Sequence, residues 1–235
     1  MDRTLGRKVT AEAVGTGLLV AVVVGSGIFA ERLSQDVGLQ LLANSLATAG
    51  GLMALILAFG SVSGAHFNPI VTFADRIFGG TTTRELTAYL PAQVLGACAG
   101  AVIANLMFDL DPITRSTHER SGGGLWLGEV VATFGLLVVI LGVVRSGRAD
   151  TAPFAVAGYI AAAYWFTSST SFANPAVTVG RTLTDTFAGI DPTCAPAFIA
   201  MQLIGGVAAI ALAAYLHPDA PPVDLVVPHD HADAA

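Results

Sequence analysis

The sequence predicts an all-α membrane protein with six transmembrane helices plus two re-entrant half-helices, arranged as an inverted repeat. Three observations predict it. The chain is too apolar for a soluble domain, it contains six long apolar segments, and its two halves repeat the same short motifs in the same order. Of the 235 residues, 54% are hydrophobic and 12% charged. Soluble domains carry about 25% charged residues, and a core of this size cannot hide that deficit. The net charge of −6 owes much to the tail "HPDAPPVDLVVPHDHADAA" and says little about partners. No basic patch suits nucleic acid, so membrane lipids are the expected surroundings.

A spanning helix needs about 20 residues, and such segments lie near 10–30, 38–60, 84–108, 124–145, 152–171 and 194–216. The N-terminal stretch shows no convincing cleavage site ahead of the first of them. Only the first and fourth carry a mid-segment charge, Glu12 and Glu129. Arg3, Arg7, Lys8, Arg76, Arg84, Arg145 and Arg148 fall on one side. Arg32, Arg115, Arg120 and Arg181 fall on the other. The excess of basic residues on the first side favours both termini in the cytoplasm.

"AEAVGT" (11–16) matches "GEVVAT" (128–133), "FNPIVT" (67–72) matches "ANPAVT" (173–178), and "AQVLGA" (92–97) matches "MQLIGG" (201–206). Each half holds three spans. An odd number inverts the second half, which places functional sites near the midplane at the repeat interface. We read residues 1–217 as one membrane domain, with repeat 1 at about 8–110 and repeat 2 at about 122–217. Residues 218–235 read as a disordered cytoplasmic tail, whose "HDH" at 229–231 is weak as a metal site. Cys98 and Cys194 are far apart and imply no disulfide framework.

The Asn-Pro pairs carry the functional argument. Asn is a strong N-cap and Pro is favoured at the first helical position. Asn68-Pro69 and Asn174-Pro175 therefore start two half-helices, which inversion brings together at mid-membrane. Each helix start carries about +0.5 of a charge from the dipole, so the facing ends repel cations. The Asn amides remain able to donate hydrogen bonds to a neutral solute.

On these motifs the chain resembles the aquaporin, or major intrinsic protein, family over residues 8–217. The boxes are Asn68-Pro69-Ile70, with Ile where Ala is usual, and Asn174-Pro175-Ala176. Most members continue the second box with Arg, where this chain has Val177. The resemblance implies a homotetramer with one pore per protomer, no cofactor, no metal and no enzymatic chemistry. No Ser/His/Asp or Cys/His constellation is apparent either.

The resemblance also implies a second constriction, whose positions are Thr48, Ala162, Ser171 and Val177. Ala162 assumes an ungapped fifth helix, and Tyr159 or Ala163 are its alternatives. Three walls that are bulky or charged in water-selective members become small or apolar, so the mouth should widen and lose its fixed cation. A bacterial branch with such an Arg-free filter is associated with arsenic resistance. The implied function is a passive channel for small uncharged solutes larger than water, in a bacterial inner membrane. Arsenite and antimonite as hydroxides, organoarsenicals, glycerol and water are the candidates. Thr178 stands where glycerol channels of the family carry Asp, which argues against an ordinary glycerol facilitator. The alternative is an ion-coupled secondary transporter, since inverted repeats also occur there.

Glu12 and Glu129 read as acceptors for backbone N–H groups of the loops before the half-helices, with proton relay as the alternative. His66 either faces a vestibule or is packed. Tyr164, Trp165 and Phe166 read as facing lipid or helices. Gly96, Gly100, Gly205 and Gly206 read as sites of close helix approach.

Overall fold

The structure, a computed structural model, describes residues 3–218 and 221–228. It is all-helical. The elements are α1 (Arg3–Leu33), α2 (Val37–Ser63), the half-helix α3 (Pro69–Ile77) and α4 (Thr83–Met107) in the first half. The second half holds α5 (Gly123–Arg145), α6 (Ala152–Phe166), the half-helix α7 (Pro175–Gly180) and α8 (Ala195–Leu216). Among the described residues, five helices are long and apolar enough to cross a membrane.

The sixth predicted span is shorter than expected. Helix α6 has 15 residues, about 22 Å at 1.5 Å per residue, and stops at Phe166 rather than 171. Thr167 turns extended (φ −101°, ψ 139°), and both its N–H and its hydroxyl donate to the Ala163 carbonyl. Residues 167–173 are thereby released to form the approach to α7.

Helix packing repeats between the halves. Helix α1 packs on α2 and α4 as α5 packs on α6 and α8, and α3 lies against α4 as α7 lies against α8. The two halves join through α2–α6, α3–α8, α4–α7 and α3–α7 contacts. Glycine permits the tightest approaches. A β-carbon on Gly96 would lie 2.1 Å from the Ala13 carbonyl oxygen, and one on Gly205 would lie 2.4 Å from that of Val130. These are equivalent contacts in the two halves. Gly100 meets the Gly17 carbonyl in the same way, at 2.0 Å.

A buried ion pair joins α1 to α4 at one end of the bundle. The Lys8 ammonium bonds the Glu85 carboxylate at 2.7 Å. Glu85 also closes a capping box with Thr82 at the start of α4.

The tail departs from the expectation of disorder after residue 217. Residues 221–228 fold back onto the bundle, where the Val223 N–H donates to the Phe78 carbonyl at 3.1 Å. Leu225 and Val226 are buried. The apolar run "VDLVV" gives this segment something to bury. The histidines at 229 and 231 lie outside the described residues.

Candidate functional site

The site is built by two hairpin-like approaches to the midplane, one from each half. Asn68 and Asn174 both hold extended backbone (φ −152° and −158°) and cap their half-helices through Oδ1. Asn68 accepts from the Ile70 N–H at 2.9 Å. Asn174 accepts from the N–H groups of Ala176 and Val177 at 3.0 and 3.2 Å. Each amide then reaches across the repeat interface. Asn68 Nδ2 donates to the Ala173 carbonyl at 2.8 Å, and Asn174 Nδ2 to the Phe67 carbonyl at 2.7 Å. One amide proton on each Asn is thus committed to the opposite half, which leaves one for a solute.

The approaches are conformationally demanding. Ala65 and Phe67 before the first Asn, and Ser171 and Ala173 before the second, all have positive φ between 48° and 54°. Non-glycine residues in this region cost about 1–2 kcal/mol each. The buried carboxylates hold them there. Glu12 accepts from the His66 and Phe67 N–H groups at 3.0 and 2.7 Å, and from Ser63 and Gln93. Glu129 accepts from the Phe172 and Ala173 N–H groups, each at 2.9 Å, and from Gln202. Gln93 and Gln202 also bond Thr72 and Thr178, whose hydroxyls donate to the carbonyls of Asn68 and Asn174. Carboxylate, glutamine, threonine and asparagine form the same linked set in each half.

The lumen wall is apolar and regular. It is lined at four-residue spacing by Leu19 and Val23 on α1, by Leu136 and Ile140 on α5, by Thr48, Leu52 and Ile56 on α2, and by Val156, Ile160 and Tyr164 on α6. Residues four apart share a helix face. The approach residues 65–68 and 171–174 complete it.

The predicted site residues divide against this geometry. Thr48, Ser171 and Val177 line the lumen together with Asn68 and Asn174. The remaining box residues do not. Pro69 and Pro175 open the half-helices and are half-buried, while Ile70 and Ala176 pack into the core at 2% and 0% exposure.

Ala162 is exposed on the outer face of α6. Tyr164 stands in the wall instead, its hydroxyl 3.1 Å from Thr48 Oγ1. The ungapped count placed the position two residues too early, because α6 ends sooner than counted. The expectation that Tyr164 faces lipid or a helix is corrected with it. The spacing of Val156, Ile160 and Tyr164 was the signal that could have found this residue.

The mouth is also not uncharged. Arg181, one turn beyond Val177, is 3% exposed and lines the same lumen. Ser171 Oγ, buried in the wall, has no hydrogen-bond partner among the described residues. Together with the remaining amide proton of each Asn, this hydroxyl is a group a solute can use.

Comparison with known proteins agrees with this fold. The family model described as "Major intrinsic protein" matches residues 2–171. The chain is 50% identical over 219 residues to the aquaglyceroporin AqpS of Rhizobium meliloti, covering 93% of this chain and 94% of the relative. It is 30% identical to a probable aquaporin, AqpM, of Archaeoglobus fulgidus, covering 92% and 99%. The solved structure of the aquaglyceroporin from Plasmodium falciparum superposes with a TM-score of 0.68 at 21% identity. That match covers 91% of this chain and 98% of the other, and shows the shared fold.

Proposed function

Since the chain belongs to the major intrinsic protein family, and is therefore an integral membrane channel rather than an enzyme, we propose that it passes uncharged solutes larger than water. Glycerol, trivalent arsenite or antimonite as hydroxides, and small organoarsenicals are the candidate cargo, with water following. The observation that carries this reading is the pair of crossed asparagines below a mouth walled by Thr48, Ser171 and Val177. An apolar wall strips solute water, and a few fixed donors replace it. That suits compact molecules with several hydroxyls and no charge. The facing half-helix ends oppose cations. The relatives named aquaglyceroporin point to the same solute class.

Both intramembrane carboxylates are engaged by backbone N–H groups, which supports passive flux over ion coupling. Lys8 and Glu85 join α1 and α4 at one end. This supports grouping the basic residues of the N-terminus with Arg76, Arg84, Arg145 and Arg148 on one side, which we take as cytoplasmic. A homotetramer in a bacterial inner membrane is what the family resemblance supports.

Stopped-flow swelling of proteoliposomes with water, glycerol and arsenite tests the reading, comparing the native chain with Val177→Arg. The substitution is expected to cut glycerol and arsenite flux at least tenfold and water flux much less. Equal losses for all three would reject the filter assignment. Uphill accumulation driven by a proton gradient would reject passive conduction.

A further inference from the structure

The outer mouth holds two guanidinium groups, although Val177 stands where the family's arginine would. Arg181 stacks on Phe172, its Cζ 3.4 Å from the ring centroid, and its Nε donates to the Ala188 carbonyl. Arg120, from the connection between α4 and α5, lies over the same ring at 5.3 Å. It donates to the carbonyls of Gly189 at 2.8 Å and Phe187 at 3.2 Å. Three successive carbonyls, 187 to 189, therefore seat both cations. Among the described residues neither forms an ion pair with a carboxylate. Glu129 gives its oxygens to the neutral donors Phe172, Ala173 and Gln202 and keeps its one negative charge, against the two positive charges of the arginines. Carbonyl oxygens and a ring face offset the desolvation of a buried cation, but they leave its net charge. That charge sits in the lumen wall, which Ser171, with its unpartnered hydroxyl, also lines.

We propose that Arg181 is the charge-selecting residue of this pore: it restores, one helical turn further on, the fixed cation absent at Val177, and rejects cations of a size the mouth would otherwise admit. The proposal rests on the channel reading above. Urea and guanidinium are near-isosteric and differ by one charge, so proteoliposome uptake of the two tests it. The native channel is expected to pass urea and reject guanidinium at least tenfold. Arg181→Gln, or Arg181→Met should the first fail to insert, is expected to raise the guanidinium-to-urea ratio at least fivefold. Arg181→Lys is expected to keep the native ratio. Guanidinium entry through the native channel at the urea rate would overturn the proposal. So would an unchanged ratio in the neutral variants with urea flux intact. No urea flux through either the native channel or its Leu225→Asp variant would instead reject the channel reading.

The opposite mouth carries an independent observation. Residues 221–228 form a strap across it. Pro221 accepts from Arg145, Val223 bonds Phe78, and the Leu225 N–H donates to the Asp75 carboxylate. The Val227 side chain lies where a β-carbon on Gly60 would be, 2.7 Å away. Leu225 is fully buried. Val226, 2% exposed, lines the lumen alongside Ile56, Ala65 and His66. Val226 holds φ +68°, a conformation that a β-branched residue keeps only where its surroundings impose it.

We infer that this strap is a plug built into the chain, with Val226 closing the lumen until the segment lifts. Full-length Leu225→Asp places a charge beside Asp75 and is expected to release the strap. Val226→Gly removes the obstructing side chain and its strain. Both are expected to raise urea permeability per reconstituted channel at least threefold with the guanidinium-to-urea ratio unchanged. The peptide PPVDLVVP is expected to lower the Leu225→Asp rate again. Equal permeability of the native chain and both variants would overturn the plug while leaving the channel reading standing. Flux in none of the three would reject the channel reading itself.

Discussion

Ile70 occupies the space that a side chain on residue 206 would take: a β-carbon at Gly206 would lie 2.5 Å from Ile70 Cγ2. The first box departs from Asn-Pro-Ala, and the departure is matched by a glycine on α8, in the other half. Overpacking a core costs about 1–3 kcal/mol, so Gly206→Ala is expected to lower the thermal midpoint of the detergent-purified protein. Ile70→Ala alone should also destabilise, by about 2–5 kcal/mol, through the space it leaves. The double variant should recover at least about 0.5 kcal/mol relative to the sum, since the residues share one volume. Strict additivity would show that they do not.

The carboxylates make a second prediction. Glu129 offers two oxygens to two adjacent backbone N–H groups, and those groups belong to a segment held at positive φ. Glutamine has one acceptor and would turn an NH2 against a second donor. Hydrogen bonds to charged groups contribute about 1.5–3 kcal/mol, so Glu129→Gln should destabilise by that order and lower the flux of every neutral solute together. Glu12→Gln should do the same from the other half. A proton-relay role predicts something different: neutral-solute flux unchanged, with only its pH dependence altered. Parallel swelling assays at pH 5.5 and 7.5 separate the two.

Most of the scaffold was legible because the repeat is written in residue types with one physical use. Asn-Pro can start a half-helix at membrane depth, and a lone Glu in each first span needs donors that only the adjacent approach can supply. Glycine at 96 and 205 marks the same backbone contact twice. The filter was read less well for a geometric reason. Counting back from Asn174 assumes that α6 runs on to a fixed end, yet Thr167 stops it early, so Tyr164 rather than Ala162 meets Thr48. Arg181 was read as a side-assigning charge, because nothing in the linear order says that one turn of α7 carries it into the wall. The strap was missed for a different reason. A short Pro-rich tail has no helical period, and its affinity for the mouth depends on Gly60 and Asp75, far away in sequence.

Backbone contacts cannot relax as side-chain contacts can, which yields a prediction across four glycines. Gly96 and Gly205 face carbonyl oxygens at 2.1 and 2.4 Å, whereas Gly142 and Gly158 face nothing within 4 Å. Gly96→Ala and Gly205→Ala are expected to force α1 from α4, and α5 from α8, and to abolish recovery of folded protein from membranes. Gly142→Ala and Gly158→Ala replace glycine with a better helix former, a change of up to about 1 kcal/mol in favour of the helix, and should leave yield and flux at the native level or above. Equal behaviour of the four, read by fluorescence size-exclusion chromatography, would remove close packing as the reason for the glycines.

Tyr164 narrows the lumen beside Thr48. Its ring ends the α6 stripe of the lumen and its hydroxyl meets Thr48 on the adjoining α2. Removing the ring should therefore open the mouth, and removing only the hydroxyl should loosen it. Tyr164→Ala is expected to raise permeability to solutes larger than glycerol, such as erythritol, by at least threefold. Tyr164→Phe keeps the bulk and frees Thr48 Oγ1 for a passing hydroxyl, so a smaller rise confined to polyols is expected. Ala162→Phe enlarges a side chain on the exposed face of the same helix and should change neither size limit nor rate. Iso-osmotic swelling with a graded polyol series measures all three. A size limit that follows residue 162 and ignores residue 164 would place the constriction where the ungapped count had put it, and would contradict the geometry of α6 described above.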